Sequence, residues 1–169
     1  LDAGADGIIC PMINTRQECE NFLSYCYYPP KGIRSFGPAR AAINSSPGEY
    51  FIEANKNVIG FAMIETKDAV DNLDSILSSS GLEIIYIGPY DLAISLGVKP
   101  EEAFYNKTNL KTMRYIFNKC KNKNIKLGVH CPNGIIAKKY LELGFDLTTI
   151  TSDMTLLSKG AKEELRTIK

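Results

Sequence analysis

An α/β domain built on a parallel sheet is the fold this sequence predicts, and three observations predict it. Short apolar runs rich in β-branched residues recur along the chain, each is followed by a segment of helical period, and the pair repeats five times in 169 residues. Strands are expected to start near Asp6, Val58, Glu83, Lys126 and Asp146, every one followed by helix, so each connection reads as a right-handed crossover.

Taken in order, Leu1 to Ala5 reads as a helix C-terminus capped by Gly4, and Asp6 to Met12 as the first strand. Thr15 and Glu18 have capping-box spacing, and Cys19, Phe22, Leu23 and Cys26 carry an apolar stripe that stops before Pro29-Pro30. Tyr27 to Gly48 holds Pro29, Pro30, Gly32, Gly37, Pro38 and Pro47, which predicts a long loop of the kind that is functional or disordered. Arg34 and Arg40 within it suit a carboxylate, although two arginines in a polar loop are more often merely solvated. A short helix around Glu49 to Asn55 leads to the second strand.

Phe61 to Asp91 is the stretch around which the chain is organised. Phe-Ala-Met-Ile-Glu-Thr and Ile-Ile-Tyr-Ile-Gly-Pro-Tyr-Asp-Leu are each too short and too β-branched for a helix, and each reads as a buried strand with a carboxylate, Glu65 or Asp91, at its C-terminal lip. Between them Thr66 is the expected N-cap, Asp68 sits in the first turn, and Val70, Leu73 and Leu77 share one face. Strand, helix, strand brings both carboxylates to one sheet edge, where parallel α/β sheets bind ligands. Two acids there form a hard-cation site, or a repelling pair that a cation or proton must relieve.

Beyond Asp91 comes a turn at Leu96-Gly97. A helix from about Lys107 to Lys121 follows, with Leu110, Met113, Phe117 and Cys120 inward. Lys126 to His130 is the next strand, Asn133 caps a helix carrying Ile136, Tyr140 and Leu143 that Gly144 ends, and Asp146 to Thr151 is the last strand before a helix from about Asp153. No G-x-G-x-x-G follows a strand and no G-x-x-x-x-G-K-[ST] occurs, which disfavours a doubly wound nucleotide-binding sheet. Part of a (β/α)8 TIM barrel is the alternative. A whole barrel takes about 250 residues, so residues 1–169 are expected to be the C-terminal part of a single barrel domain, strands four to eight.

Composition narrows the function. Twenty Lys+Arg against 19 Asp+Glu give a net charge of +1, which supplies no field for nucleic acid or an anionic membrane, so a charged substrate must be held locally. Cys10, Cys19, Cys26, Cys120 and Cys131 are an odd number without a C-x-x-C pair and predict reduced thiols in a cytoplasmic protein. No apolar stretch approaches the roughly 20 residues of a membrane span, and no signal peptide is visible. The opening on Leu1 rather than Met reads as the start of a fragment.

Four motifs in order carry a resemblance. Leu-Asp-Ala-Gly-Ala-Asp-Gly-Ile-Ile-Cys-Pro-Met-Ile-Asn-Thr, Tyr-Tyr-Pro-Pro-Lys-Gly-Ile-Arg-Ser-Phe-Gly-Pro-Ala-Arg-Ala, Met-Ile-Glu-Thr and Ile-Gly-Pro-Tyr-Asp-Leu-Ala resemble the HpcH/HpaI aldolase family, relatives of the citrate lyase β-subunit. The resemblance runs nearly end to end. It implies a phosphoenolpyruvate/pyruvate-type barrel and a class II, metal-dependent aldolase, such as those acting on 4-hydroxy-2-oxoheptanedioate or 2-dehydro-3-deoxyglucarate, that cleaves 4-hydroxy-2-oxo or 2-keto-3-deoxy acids to pyruvate and an aldehyde. It makes Glu65 and Asp91 the ligands of Mg²⁺ or Mn²⁺, and Tyr90 and Asp91 the positions whose backbone amides meet the substrate carboxylate. Asp2 matches the acid that supports a catalytic histidine base; that base and the oxyanion arginine lie in the family's N-terminal portion. Met63 stands where characterised aldolases often carry a substrate-donating Gln, and methionine cannot donate. Gly88 and Pro89 allow close backbone approach to an anionic carboxylate. A trimer or hexamer of identical chains is implied as well.

Blander readings stand beside these. His130, the sole histidine, lies next to Cys131 without a second histidine or paired thiol, so a partly buried structural role is expected over zinc or Cys–His chemistry. Asp153 is expected as the N-cap of the last helix rather than a catalytic acid. A lyase acting on a CoA thioester of the citramalyl or malyl type, and a non-catalytic barrel fragment exposing an unpaired strand edge, remain as alternatives.

Overall fold

Each apolar run becomes a strand within a residue or so of its expected start: β1 (Gly7–Cys10), β2 (Ile59–Ile64), β3 (Ile84–Ile87), β4 (Lys126–Cys131) and β5 (Leu147–Ile150). The computed structural model describes residues 1–168. All four pairings are parallel and the spatial order is the sequence order, β1-β2-β3-β4-β5. A doubly wound sheet requires that order to reverse so that helices cover both faces. Here it never reverses. The five strands therefore form a partial (β/α)8 barrel, an arc with helices outside and strand side chains alone on the concave side.

Alternation along the strands makes that division. Ala62, Ile64, Ile85, Ile87, Leu127, Val129 and Cys131 point outward into one core with Cys19, Leu23 and Cys26 of α1 (Arg16–Cys26), and with Met113, Ile116 and Cys120 of α6 (Lys107–Asn122). The residues between them face inward, including Phe61, Met63, Tyr86, Gly128, His130 and Thr149. Strand pairing sets them in rows, because parallel neighbours in register share a face.

Local signals explain most helix starts. Thr15 and Glu18 close the expected capping box of α1; Ser46 and Glu49 close a second one at α2 (Pro47–Asn57), which places Pro47 in the first turn. Thr66 caps α3 (Lys67–Asp71) as expected, but the helix then breaks at Asn72 and resumes as α4 (Leu73–Ile76). The Asn72 side chain is drawn instead to the Asn14 carbonyl, at 2.9 Å. Leu1 to Gly4 is a turn with Gly4 at φ +102° rather than part of a helix. Asn133 caps α7 (Gly134–Glu142). Ser152, not Asp153, caps α8 (Asp153–Arg166): its hydroxyl accepts from the Thr155 N–H, and Asp153 falls in the first turn.

The main correction concerns Asp91. β3 ends at Ile87, and Pro89 starts a further helix, α5 (Pro89–Ser95), so Asp91 stands in a helical first turn and not at a strand lip. Proline at the first helical position is favoured because its missing N–H is not needed there. Asn109, fully buried on α6, ties α5 down: its amide donates to the Pro89 carbonyl at 3.1 Å and the Ala103 carbonyl at 2.8 Å. Replacing Asn109 by Ala removes both donations from a fully buried position, at a cost of about 1–3 kcal/mol. Urea unfolding of Asn109→Ala is expected to show a loss in that range, with a midpoint equal to the parent's excluding this tether.

The 27–46 segment is ordered around one guanidinium. Arg34 is buried and donates to the Asp2 carboxylate at 2.6 Å and to the Tyr50 hydroxyl at 3.1 Å, with its plane over the Tyr28 ring. Arg34 thus holds a carboxylate of its own chain, while Arg40 is exposed. Among the described residues no helix is long and apolar enough to cross a membrane. All five cysteines are free thiols.

Candidate active site

The C-terminal edge of the sheet carries the candidate residues because β2 and β3 both run toward it. Ile64 pairs with Ile87, and carrying that register one residue further sets Glu65 beside Gly88. Glu65 is 2% exposed, and its Oε1 accepts from the Met12 backbone N–H at 2.8 Å. Met12 adopts φ 58°, a conformation rare for a residue with a side chain, in the loop after β1. The same loop is fastened to the start of α3 by the Asn14 amide oxygen on the Thr66 hydroxyl.

Gly88 is where the chain must come close. A Cβ there would stand 2.3 Å from Glu65 Oε2 and 2.4 Å from the terminal methyl carbon of Met63. Glycine alone lets the β3–α5 turn pass over the carboxylate. Three residues on, Asp91 is exposed and near enough for its charge to bear on Glu65. Burial pushes the Glu65 carboxyl above its ordinary range, the Met12 N–H opposes that shift, and the Asp91 charge adds to it.

The structure therefore brings Glu65, Asp91, Gly88, Pro89, Tyr90 and Met63 to one place. Pro89 is buried, and Tyr90 and Met63 are half-buried. Tyr90 lays its ring against Phe104 at 5.8 Å and near His130 at 6.1 Å. Asp2 is not brought there. It precedes β1, at the opposite edge of the sheet, with its carboxylate on Arg34. Among the described residues no group of three His, Cys, Asp or Glu assembles, so a cation at Glu65 and Asp91 would find two protein oxygens. That donor set fits Mg²⁺ or Mn²⁺, hard ions whose remaining positions go to water and ligand oxygens, and does not fit the three or four N/S ligands of a zinc site. Cys131, beside His130, is pushed by burial up to about 11, which removes it as a thiolate ligand or nucleophile at neutral pH.

Four participants carry no mark in the sequence or only a faint one. Nothing about Met12 announces that its N–H will hold Glu65. Asn109 looks like an ordinary polar residue of a surface helix. Tyr86 and Thr149 are recoverable from alternation alone, since period two puts them on the face opposite Ile85, Ile87 and Thr148.

The fold and the sequence have known relatives. The family model for HpcH/HpaI aldolase/citrate lyase matches residues 1–159. The chain belongs to the HpcH/HpaI aldolase/citrate lyase family. It is 39% identical over 163 residues to a hydroxypyruvate/pyruvate aldolase of Rhizorhabdus wittichii, covering 96% of this chain and 64% of that protein. A 5-keto-4-deoxy-D-glucarate aldolase of Escherichia coli O157:H7 is 31% identical over 170 residues, covering 100% of this chain and 66% of that protein. The crystal structure of an HpcH/HpaI aldolase/citrate lyase family protein from Burkholderia cenocepacia J2315 superposes with a TM-score of 0.83 at 25% identity, over 99% of this chain and 66% of that one. Macrophomate synthase shares the fold, with a TM-score of 0.79. The family member described here thus spans 64% and 66% of the length of the two curated relatives.

Proposed function

We propose that the protein is a divalent-metal-dependent aldolase that cleaves a 4-hydroxy-2-oxo or 2-keto-3-deoxy acid to pyruvate and an aldehyde. The observation that carries this reading is a buried carboxylate, Glu65, sharing its surroundings with Asp91 at the ligand-binding edge of a partial barrel of the aldolase family. Residues 1–169 form the C-terminal part of one barrel domain in this reading.

Glu65 and Asp91 would hold the cation. When bound, a divalent ion polarises the keto-acid carbonyl and takes up the negative charge that develops as the carbon–carbon bond breaks. The chain does the rest by placement. The Met12 N–H fixes one Glu65 oxygen and so aims the other. Gly88 gives the α5 turn no side-chain acceptor, which leaves the Tyr90 and Asp91 N–H groups for a substrate carboxylate. Met63 closes the wall beside them without donating. The base comes from outside residues 1–169 in this reading, and Asp2, engaged by Arg34 at the other edge of the sheet, is not placed to support it. Exposed Met154, Leu157 and Leu165, which share one side of α8, would supply an apolar face for assembly into a trimer or hexamer of identical chains. Five free thiols suit a reducing, cytoplasmic setting.

The test is pyruvate release from a 2-keto-3-deoxy acid by the intact protein, before and after chelation. Chelation is expected to remove the activity and added Mg²⁺ or Mn²⁺ to restore it. Release that survives full chelation contradicts the metal-dependent reading.

A further inference from the structure

His130 is not an isolated structural histidine. Its Nδ1 lies 3.0 Å from the Thr149 hydroxyl, and the same hydroxyl is hydrogen-bonded to the phenol of Tyr86, so three adjacent strands are joined by one polar chain on the concave face. Gly128 makes this possible. It stands between Tyr86 and Leu147 in the register, and a Cβ there would meet the Tyr86 ring at 2.8 Å, so only glycine lets the phenol reach across β4 to β5.

The chain of bonds has a direction. Thr149 has one hydroxyl proton, and the buried Tyr86 phenol, held protonated by its burial, is the stronger acid and donates to it. With Thr149 spending its own proton on Nδ1, the imidazole proton falls on Nε2, the arrangement the proposal below requires. No hydrogen bond to Nε2 occurs among the described residues, and Nε2 is absent from their buried, unpaired polar atoms, so it opens to the mouth beside Tyr90. The register adds a distance. Ile87 pairs with Val129, which continues to set Gly88 beside His130, so His130 lies two strands, about 10 Å, from Glu65 along one row.

Resting on the aldolase reading above, we propose that His130 is a specificity-determining residue of the same site: the Tyr86–Thr149 relay fixes its Nε2–H as a donor to a hydroxyl or carboxylate oxygen carried by the aldehyde half of the substrate. Tyr86 and Thr149 are its positioning residues. A site built to hydrogen-bond such an oxygen discriminates against the analogue that lacks it, because its donor is then left unpaired.

Two measurements on the intact protein test this. The first is ¹⁵N NMR of the imidazole, assigned by its loss in His130→Leu. The Nε2–H tautomer is expected in the parent and a mixture of tautomers in Thr149→Val; an Nδ1–H tautomer in the parent, or no change in the variant, overturns the relay. The second is aldol addition of pyruvate to glycolaldehyde against acetaldehyde. The ratio of kcat/KM values is expected to favour glycolaldehyde and to fall at least about tenfold in His130→Leu, with part of the preference restored in His130→Gln. Equal losses for both aldehydes, or an unaltered ratio, overturn the assignment. Failure of the parent protein to exchange the methyl protons of pyruvate with solvent deuterium, a reaction that needs no aldehyde, instead overturns the aldolase reading and this proposal with it.

Discussion

Glu65→Gln is expected to lower divalent-ion-dependent pyruvate release at least about a hundredfold, with no loss of thermal stability in the ion-free protein. The substitution keeps shape and keeps an oxygen to accept from the Met12 N–H, but removes the charge that holds a cation. Its stability sign follows from burial. The Glu65 carboxyl is raised above its ordinary 4.5, so the folded protein holds that proton more tightly than the unfolded chain does. The resulting stability is complete below the ordinary value and is lost as pH rises through the raised one. At neutral pH the ion-free parent therefore bears the cost of a buried charge near Asp91, and the Gln variant does not. Melting followed from mildly acid to neutral pH should show the variant gaining on the parent across that window. A variant that melts well below the parent at neutral pH, or that keeps its activity, contradicts this account of Glu65.

Gly88→Ala is expected to damage the site through sterics alone. The added methyl would lie 2.3 Å from Glu65 Oε2 and 3.0 Å from Glu65 Cβ, so the carboxylate must move away from the position the Met12 N–H defines. Overpacking of this kind costs about 1–3 kcal/mol, and displacing a ligating oxygen weakens cation affinity at least about tenfold. Both losses should appear together, in denaturant unfolding and in a raised Mn²⁺ requirement. Gly160→Ala on α8, where an added Cβ meets nothing within 4 Å, is the control: it should leave the Mn²⁺ requirement unchanged and should not lower stability, since alanine is favoured over glycine inside a helix. If Gly88→Ala behaves like the control, the close approach of the turn to Glu65 is not what shapes the site.

Much of this arrangement was legible in the sequence because it rests on periodicity. Five β-branched runs alternating with helical stripes give five parallel strands, and Thr15, Thr66 and Asn133 cap the helices their spacing announces. Asp91 was misplaced for a definable reason: the run Ile84 to Tyr90 carries no charged residue and no apolar–polar alternation, so periodicity cannot mark where strand gives way to helix, and only the proline at 89 signals the change. The break of the expected helix at Asn72 is a tertiary effect, since its amide bonds the Asn14 carbonyl 58 positions away. The Tyr86–Thr149–His130 chain escaped for the same reason. It depends on Gly128 leaving room between strands, which no local window reveals.

Mn²⁺ binding by the intact protein, read as loss of the six-line electron paramagnetic resonance signal of the free ion, tests the central claim that Glu65 and Asp91 grip a single cation. The expected result is one ion per chain in the parent and affinity weaker by at least about a hundredfold in both Glu65→Gln and Asp91→Asn. Parent-like Mn²⁺ binding in either variant would contradict it.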